Sequence, residues 1–452
     1  MANFKQKKRL YLLNGRTHHF IHSQWAGGTV LFICAVAAIF FANWHITADG
    51  FRHFWEQRLT IGLEDFNLSK TLEEWINDGL MVLFFFVVGL EIKREVIAGQ
   101  LSSIRQAGLP IAAALGGMLF PALIYLSFNR GTIYEPGWGI PTATDIAFAL
   151  GVLSLLGKRI PLSLKIFLTA LAIVDDLGAI LVIAIFYSAQ IHWVVLAAAL
   201  GTFVLLLILN RLKVFRMRYY LLPAILLWLL FLHSGIHATI AGVIIAMAIP
   251  SDARFSKKYF LYKGNNLLRT FAYEDQPGMG MLSNEKQQAA ARSLWKIARR
   301  TIPPSLQLEY ALHSTIAFFV MPVFALANAG VVVDLSQVST LVNSESVGVF
   351  LGLVVGKPFG IFLFSLIAIR AGWCVMPTGA TWGTLFAVAC LGGIGFTMSM
   401  FINNLAFADP AMVATGKVSI LLGSCTAALL GWAVMALTRR SHLHEKPGPR
   451  IP

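Results

Sequence analysis

The stretch IFLTALAIVDDLGAILVIAIFY, from Ile166 to Tyr187, carries two charges, and both sit in its middle at Asp175 and Asp176. As a helix rising about 1.5 Å per residue it is roughly 33 Å long, enough to cross the hydrocarbon core of a bilayer. The two acids then lie near the midplane, where each costs about 2.5–3.5 kcal/mol on insertion scales. Consecutive residues point about 100° apart on a helix, so both cannot face one small ligand equally. One looks into a cavity while the other faces a neighbouring helix or a different part of that cavity. A salt-bridged pair that only fixes packing is the plain alternative, but a second buried acid adds cost without adding specificity.

The rest of the chain has the same character. Of 452 residues 57% are hydrophobic and 13% charged, about half the charge of a soluble domain. Hydropathy and helix punctuation place about twelve spans, near 24–42, 72–92, 107–128, 138–156, 162–187, 193–210, 218–231, 235–249, 305–329, 346–369, 381–404 and 412–437. With both termini cytoplasmic, 30 of the 36 Lys and Arg residues fall on the inner side, as the positive-inside rule asks. The net charge of +14 therefore sets topology and faces anionic lipid at the inner surface, rather than marking a nucleic-acid binder. The basic start of the chain is not followed by a short apolar core and a cleavage site, so no signal peptide is expected. Cys34, Cys374, Cys390 and Cys425 are isolated and read as small core residues.

The expected organisation is a cytoplasmic N-terminus at 1–23, spans one to eight over 24–249, a basic cytoplasmic insert at 250–304, spans nine to twelve over 305–437, and a cytoplasmic tail at 438–452. The insert has a turn at 277-PGMG-280 and a candidate helix at 285–300. It reads as a loop on the membrane surface. In the outer loop 43–70, Leu59, Ile61 and Leu63 alternate as in a hairpin strand, with an irregular loop as the alternative.

Three further polar features fall inside apolar spans. Asp145 is the single charge of 137-GWGIPTATDIAFALGVLSLL-156 and follows Pro141 and a Thr-Ala-Thr run. Proline removes a backbone donor and disfavours helix before it, so this span reads as broken, with half-helix ends at depth. An unbroken helix started by the proline, with Asp145 near the outer surface, is the other reading. Gly392, Gly393 and Gly395 weaken a second span just before Thr397 and Ser399. If the two breaks meet, opposed helix ends face each other. Two positive ends need an anion, which Asp145 supplies; two negative ends need a cation. Lys357 lies near the centre of its span and must pair with an acid or become neutral. One of the aspartate pair is the expected partner, Asp175 ahead of Asp176. Gly352, Gly356 and Gly360 recur every fourth residue, a face for close helix contact.

The stretches 140-IPTATDIAFALGVLSLLGKRIP-161, 169-TALAIVDDLGAIL-181, 233-HSGIHATIAGV-243, 355-VGKPFGI-361 and 392-GGIGFTMSMFI-402 together resemble NhaA-type Na⁺/H⁺ antiporters, from about residue 14 to about 437 with an interruption at 251–302. The resemblance implies an all-α polytopic fold in the bacterial inner membrane: twelve helices in inverted repeats, spans four and eleven broken and crossing, and an extracytoplasmic β-hairpin within 55–70 that pairs across a homodimer. It implies that Asp175 and Asp176 bind the transported Na⁺ or Li⁺, that Asp145, Thr144 and Thr397 serve the crossed breaks, and that Lys357 pairs with Asp175. Asp78, Glu91, Glu95, Glu309, His313 and His237 match inner-funnel residues associated with pH response. No cofactor is implied, because the ion is cargo. Two departures stand out: the inner insert is longer than in typical members, and Tyr310 stands where some have histidine.

The resemblance also implies a pH-regulated, electrogenic exchange, two protons entering per Na⁺ expelled, in which cation and proton take turns on the two acids. Either both acids, or one acid and Lys357, could supply the two protons. A passive cation channel and an intramembrane aspartyl protease are the rival readings, beside a transport-inactive scaffold. Such proteases resemble a glycine-containing pattern before the second acid, whereas Asp175 follows Ile173 and Val174.

Overall fold

The computed structural model describes residues 24–63, 66–155, 160–188, 190–275, 279–332 and 343–444. The expected N-terminal segment 1–23, the end of the tail and the start of the 277–280 turn lie outside the described residues. Eighteen helices are named here in chain order. They are α1 (Gln24–Asn43), α2 (Ala48–Glu56), α3 (Met81–Ala98), α4 (Ile104–Asn129), α5 (Ile146–Leu155), α6 (Leu162–Phe186), α7 (Trp193–Arg211), α8 (Arg218–Ser234) and α9 (Thr239–Ala248). They continue with α10 (Lys257–Tyr273), α11 (Glu285–Thr301), α12 (Pro304–Thr315), α13 (Met321–Asn328), α14 (Ser344–Leu351), α15 (Lys357–Arg370), α16 (Trp382–Gly392), α17 (Phe396–Ala406) and α18 (Pro410–His444).

Among the described residues eight helices are long and apolar enough to cross a membrane, or nine if the α16–α17 pair, bent by 42°, counts as one span. Large apolar side chains stay exposed on their outer faces, among them Phe32, Leu181, Leu222 and Leu429. In water such a surface would drive association, whereas lipid solvates it. α8 and α9, of 17 and 10 residues, are shorter apolar helices. Cys425, read from the sequence as a core residue, is exposed on α18 instead; Cys374 and Cys390 are buried.

The glycine stripe explains how the centre packs. A single-turn widening at Gly352–Gly356 joins α14 to α15. Gly352 lies against Pro121 and Pro141, Gly356 against Pro121, and Gly360 against the carbonyl of Gly116, so closely that a methyl group at any of the three would collide. Without side chains on that line, α15 and α4 come into backbone contact. Lys357 is then carried inward beside Gly117.

The span with Asp145 is interrupted. Glu135–Thr142 forms a 3₁₀ turn, and Ala143 leaves it in an extended conformation (φ −89°, ψ 152°) before α5 begins. α16 likewise stops at Gly392, and α17 restarts at Phe396. Proline and clustered glycines are the local causes, since each weakens the helical alternative.

Two elements lie outside this core. Strands β1 (Arg58–Leu63) and β2 (Phe66–Thr71) pair antiparallel with Ile61 opposite Leu68, which is the hairpin alternative rather than the irregular loop. The 250–304 segment holds α10 as well as α11. The two are tied by Gln287 Nε2, which donates to Phe271 O at 3.0 Å and Asp275 Oδ1 at 3.2 Å.

Candidate functional site

Asp175 and Asp176 lie midway along α6, each 1% exposed. The angle between consecutive helical side chains sends them to different neighbours. Asp175 faces α15, where Lys357 Nζ donates to its Oδ2 at 2.7 Å and also to Thr142 O at 2.5 Å. The lysine therefore binds both an acid and the carbonyl end of the 3₁₀ turn. Asp176 faces the other way, and neither of its carboxylate oxygens has a hydrogen-bond partner among the described residues.

The two interruptions are bonded to each other. Asp145 N donates to Ile394 O at 2.7 Å, and Thr144 Oγ1 to Gly392 O at 2.8 Å. The Asp145 carboxylate accepts from Phe148 N at 2.9 Å, from Thr397 N at 3.3 Å and from the Thr397 hydroxyl. Phe148 is in the first turn of α5 and Thr397 in the first turn of α17. One carboxylate thus caps two helix N-termini, each worth roughly half a positive charge. Ser399 Oγ donates back to Ile140 O at 2.7 Å.

A cavity of about 400 Å³ reaches this centre. Asp176, Thr144, Asp145 and Thr397 line one part of it; Glu91, Arg94, Glu309, Tyr310 and His313 line another. The His313 side chain is 59% exposed and Arg94 40%, so that part faces outward while Asp176 lies at depth. Arg94 bonds Glu309 Oε1 at 2.8 Å and Glu95 Oε1 at 3.1 Å, and His313 Nδ1 lies 3.8 Å from Glu91 Oε1.

Glu91, Glu95, Glu309 and His313 thus come together at the cavity mouth. Asp78 and His237, expected in the same funnel, do not. Asp78 lies 13 residues before Glu91 on the same helical run, roughly 20 Å away along its axis. There it pairs with Lys70 of β2, and Trp228 Nε1 donates to its carbonyl at 2.9 Å. His237 lies just before α9 with its ring edge-on to Phe401 at 5.8 Å. Both belong to the hairpin side of the aspartates.

Arg94 joins two of the funnel acids, yet nothing in the sequence motifs gave it a role. Its one signal was position, three residues after Glu91 and therefore on the same helix face. Asn403, Asn129 and Glu345 were missed as well. A lone amide, or an acid at a span edge, reads as solvated.

Buried acids between interrupted helices at the end of a cavity place the chain among polytopic membrane transporters. A family profile described as Na⁺/H⁺ antiporter 1 matches residues 18–435. The chain is 47% identical over 427 residues to the Na(+)/H(+) antiporter NhaA of Oleidesulfovibrio alaskensis, covering 94% of this chain and 95% of the relative. It is 46% identical over 437 residues to Na(+)/H(+) antiporter NhaA 2 of Syntrophotalea carbinolica, covering 96% and 99%. Against the NhaA of Cytophaga hutchinsonii it is 45% identical over 428 residues, covering 95% and 97%. The chain belongs to this Na⁺/H⁺ antiporter family.

Proposed function

We propose that the protein is a secondary transporter, not an enzyme, that expels Na⁺ or Li⁺ in electrogenic, pH-regulated exchange for protons. The observation that carries this reading is Asp176: a fully buried carboxylate with two oxygens unpartnered among the described residues, on a cavity wall. Carboxylate oxygens suit a hard cation, and a proton satisfies the same group. The two compete at Asp176, and a second proton, carried by Asp175 or by Lys357, makes two protons exchanged per Na⁺ and the exchange electrogenic. Lys357 holds Asp175 in reserve, and Asp145 stabilises the helix ends around the ion. Rocking of one helix group against the other would expose Asp176 to each side in turn.

The eight long helices, the bent pair, α8, α9 and the helix through α3 make up the twelve crossings we assign, with the two interrupted spans crossing at their breaks. We assign the cavity mouth and the 250–304 insert to the cytoplasmic side of a bacterial inner membrane, both termini with them, and the hairpin to the outside. Basic residues of the insert would meet anionic lipid there. Leu59 and Ile61 are exposed on β1, an apolar strand face suited to pairing with a second copy of the hairpin. Glu91, Glu95, Glu309 and His313 are the groups we assign to pH response at the mouth, with Asp78 and His237 acting from the hairpin side.

Everted membrane vesicles test the central claim. Asp176→Asn is expected to insert normally and to abolish Na⁺-driven recovery of an imposed pH gradient. Undiminished recovery would remove the ion site from Asp176.

A further inference from the structure

The exchange described above leaves one buried carboxyl without a role. Glu345, in the first turn of α14, is 0% exposed, and neither carboxylate oxygen has a hydrogen-bond partner among the described residues. Its surroundings offer acceptors. Asn403 of α17 and Asn129 at the end of α4 are also 0% exposed. Asn403 Nδ2 donates to Val413 O at 2.8 Å; Asn129 Nδ2 donates to Tyr125 O and Ser344 O, each at 3.0 Å. Those carbonyls fix the orientation of both amides, since a flipped amide would set oxygen against oxygen. Oδ1 of each is then left without a donor among the described residues. Glu345 Oε1 and Asn403 Oδ1 converge on Gly416: a methyl group there would lie 2.8 Å from the first and closer still to the second.

An ionised carboxylate held among acceptor oxygens and away from water is strongly disfavoured. One added hydrogen resolves the conflict, because a carboxylic acid can donate to the amide oxygen. The neighbouring ionisable groups do not supply it. Tyr125 donates its hydroxyl to Tyr134 O at 2.7 Å, and Lys417, next to Gly416, turns to Glu73 at 3.4 Å.

The location matters. Glu345 lies 12 residues before Lys357 on one helical run, roughly 18 Å along the axis. Asn403 lies six residues beyond Thr397 on α17, and its neighbour Asn404 bonds Asn328 Oδ1, which is bonded in turn to Asn77 beside Asp78. This is the hairpin side of the aspartates, opposite the cavity mouth.

Resting on the antiport reading, we propose that Glu345 and the amide of Asn403 form a second proton-binding site, occupied by a proton in this conformation and set on the hairpin side of the aspartate pair. The proton passes between Glu345 and hairpin-side water, leaving a carboxylate when it goes and restoring the acid when it returns. Asn403 rides on the same short helix as Thr397, so movement at the break withdraws the acceptor that holds it.

Difference infrared spectroscopy on the full-length reconstituted protein reads the carbonyl stretch of a protonated carboxyl directly. One such band is expected to disappear in Glu345→Gln, to change frequency in Asn403→Leu and to persist in Asp176→Asn. In the unaltered protein its intensity should fall as pH rises and should respond to added Na⁺. In oriented vesicles, Glu345→Gln should flatten the dependence of exchange on hairpin-side pH. Should Glu345→Gln fail to fold, Asn403→Leu keeps the carboxyl in place and tests the same band. A band untouched by both variants overturns the proposal, as does one constant in intensity from acid to alkaline pH with and without Na⁺. Exchange that survives Asp176→Asn while the Glu345 band behaves as expected would count against the aspartate assignment alone.

Discussion

Replacing Lys357 with alanine probes how the acid pair is neutralised. The ammonium lies 2.7 Å from Asp175 Oδ2 and 2.5 Å from Thr142 O, in a residue with 0% exposure. Its loss leaves a carboxylate and a helix-end carbonyl facing a gap. Removing one partner of a buried pair costs about 3–5 kcal/mol, and an orphaned carbonyl about 1–3 kcal/mol. The two share an environment and do not add. Asp175 can escape the penalty by taking a proton. Where Na⁺ is held by both acids, as the resemblance implies, it must then displace the proton on Asp175 as well as the one on Asp176. If protonation relieves about 3 kcal/mol, apparent Na⁺ affinity at the acid end falls about 100-fold. Each pH unit of alkalinity restores about ten-fold, so the plot of log affinity against pH steepens by one proton. Calorimetric Na⁺ titrations of the purified protein from about pH 6 to 9, a range on either side of neutrality, measure that slope, and Na⁺-driven proton flux in reconstituted vesicles checks it. Parallel curves for the two proteins would refute the reasoning.

Three other perturbations follow from named contacts. Gly360→Val should drive α15 off α4, because the obstacle is the Gly116 backbone and not a flexible side chain; a loss of about 3 kcal/mol is expected, read as a lower melting temperature in detergent, and an unchanged melt would contradict the contact. Asp145→Ala removes the acceptor shared by the first turns of α5 and α17, so about 0.5–2 kcal/mol should be lost per helix, with Asn intermediate; thermal unfolding of all three proteins orders them. Deleting 256–300 should leave exchange measurable in vesicles, and complete loss despite normal insertion would reject a peripheral role for the insert.

Sequence carried the divergence of Asp175 and Asp176 because adjacency on a helix fixes an angle, whatever surrounds it. It carried a close helix contact along Gly352, Gly356 and Gly360, because three glycines at every fourth residue leave a bare face, but not that α4 would be the partner. The inner-funnel place of Asp78 came from the resemblance, although the outer loop at 43–70 already sets it near the outer end of its span, where the structure pairs it with Lys70 of β2. α10 went unread because KKYFLYKGNNLLRTFAY mixes polar and apolar residues without a long apolar run. Glu345 was passed over as a charge at a span boundary, where solvent is the default. It lies buried beside Gly416 and Asn403, which come from distant segments of the chain.

The charges around the breaks leave one carboxylate uncommitted. An ionised Asp145 sets one negative charge against two helix N-termini of roughly half a positive charge each, and these nearly cancel. Lys357 cancels Asp175 and lies against the carbonyl end at Thr142. What remains is Asp176, a single negative charge facing the cavity with no donor of its own among the described residues. One monovalent cation or one proton neutralises that remainder, whereas a divalent ion would leave a net positive charge buried between helices. If Asp176 holds the ion as proposed above, a preference for a monovalent ion would follow from Asp145 and Lys357 together.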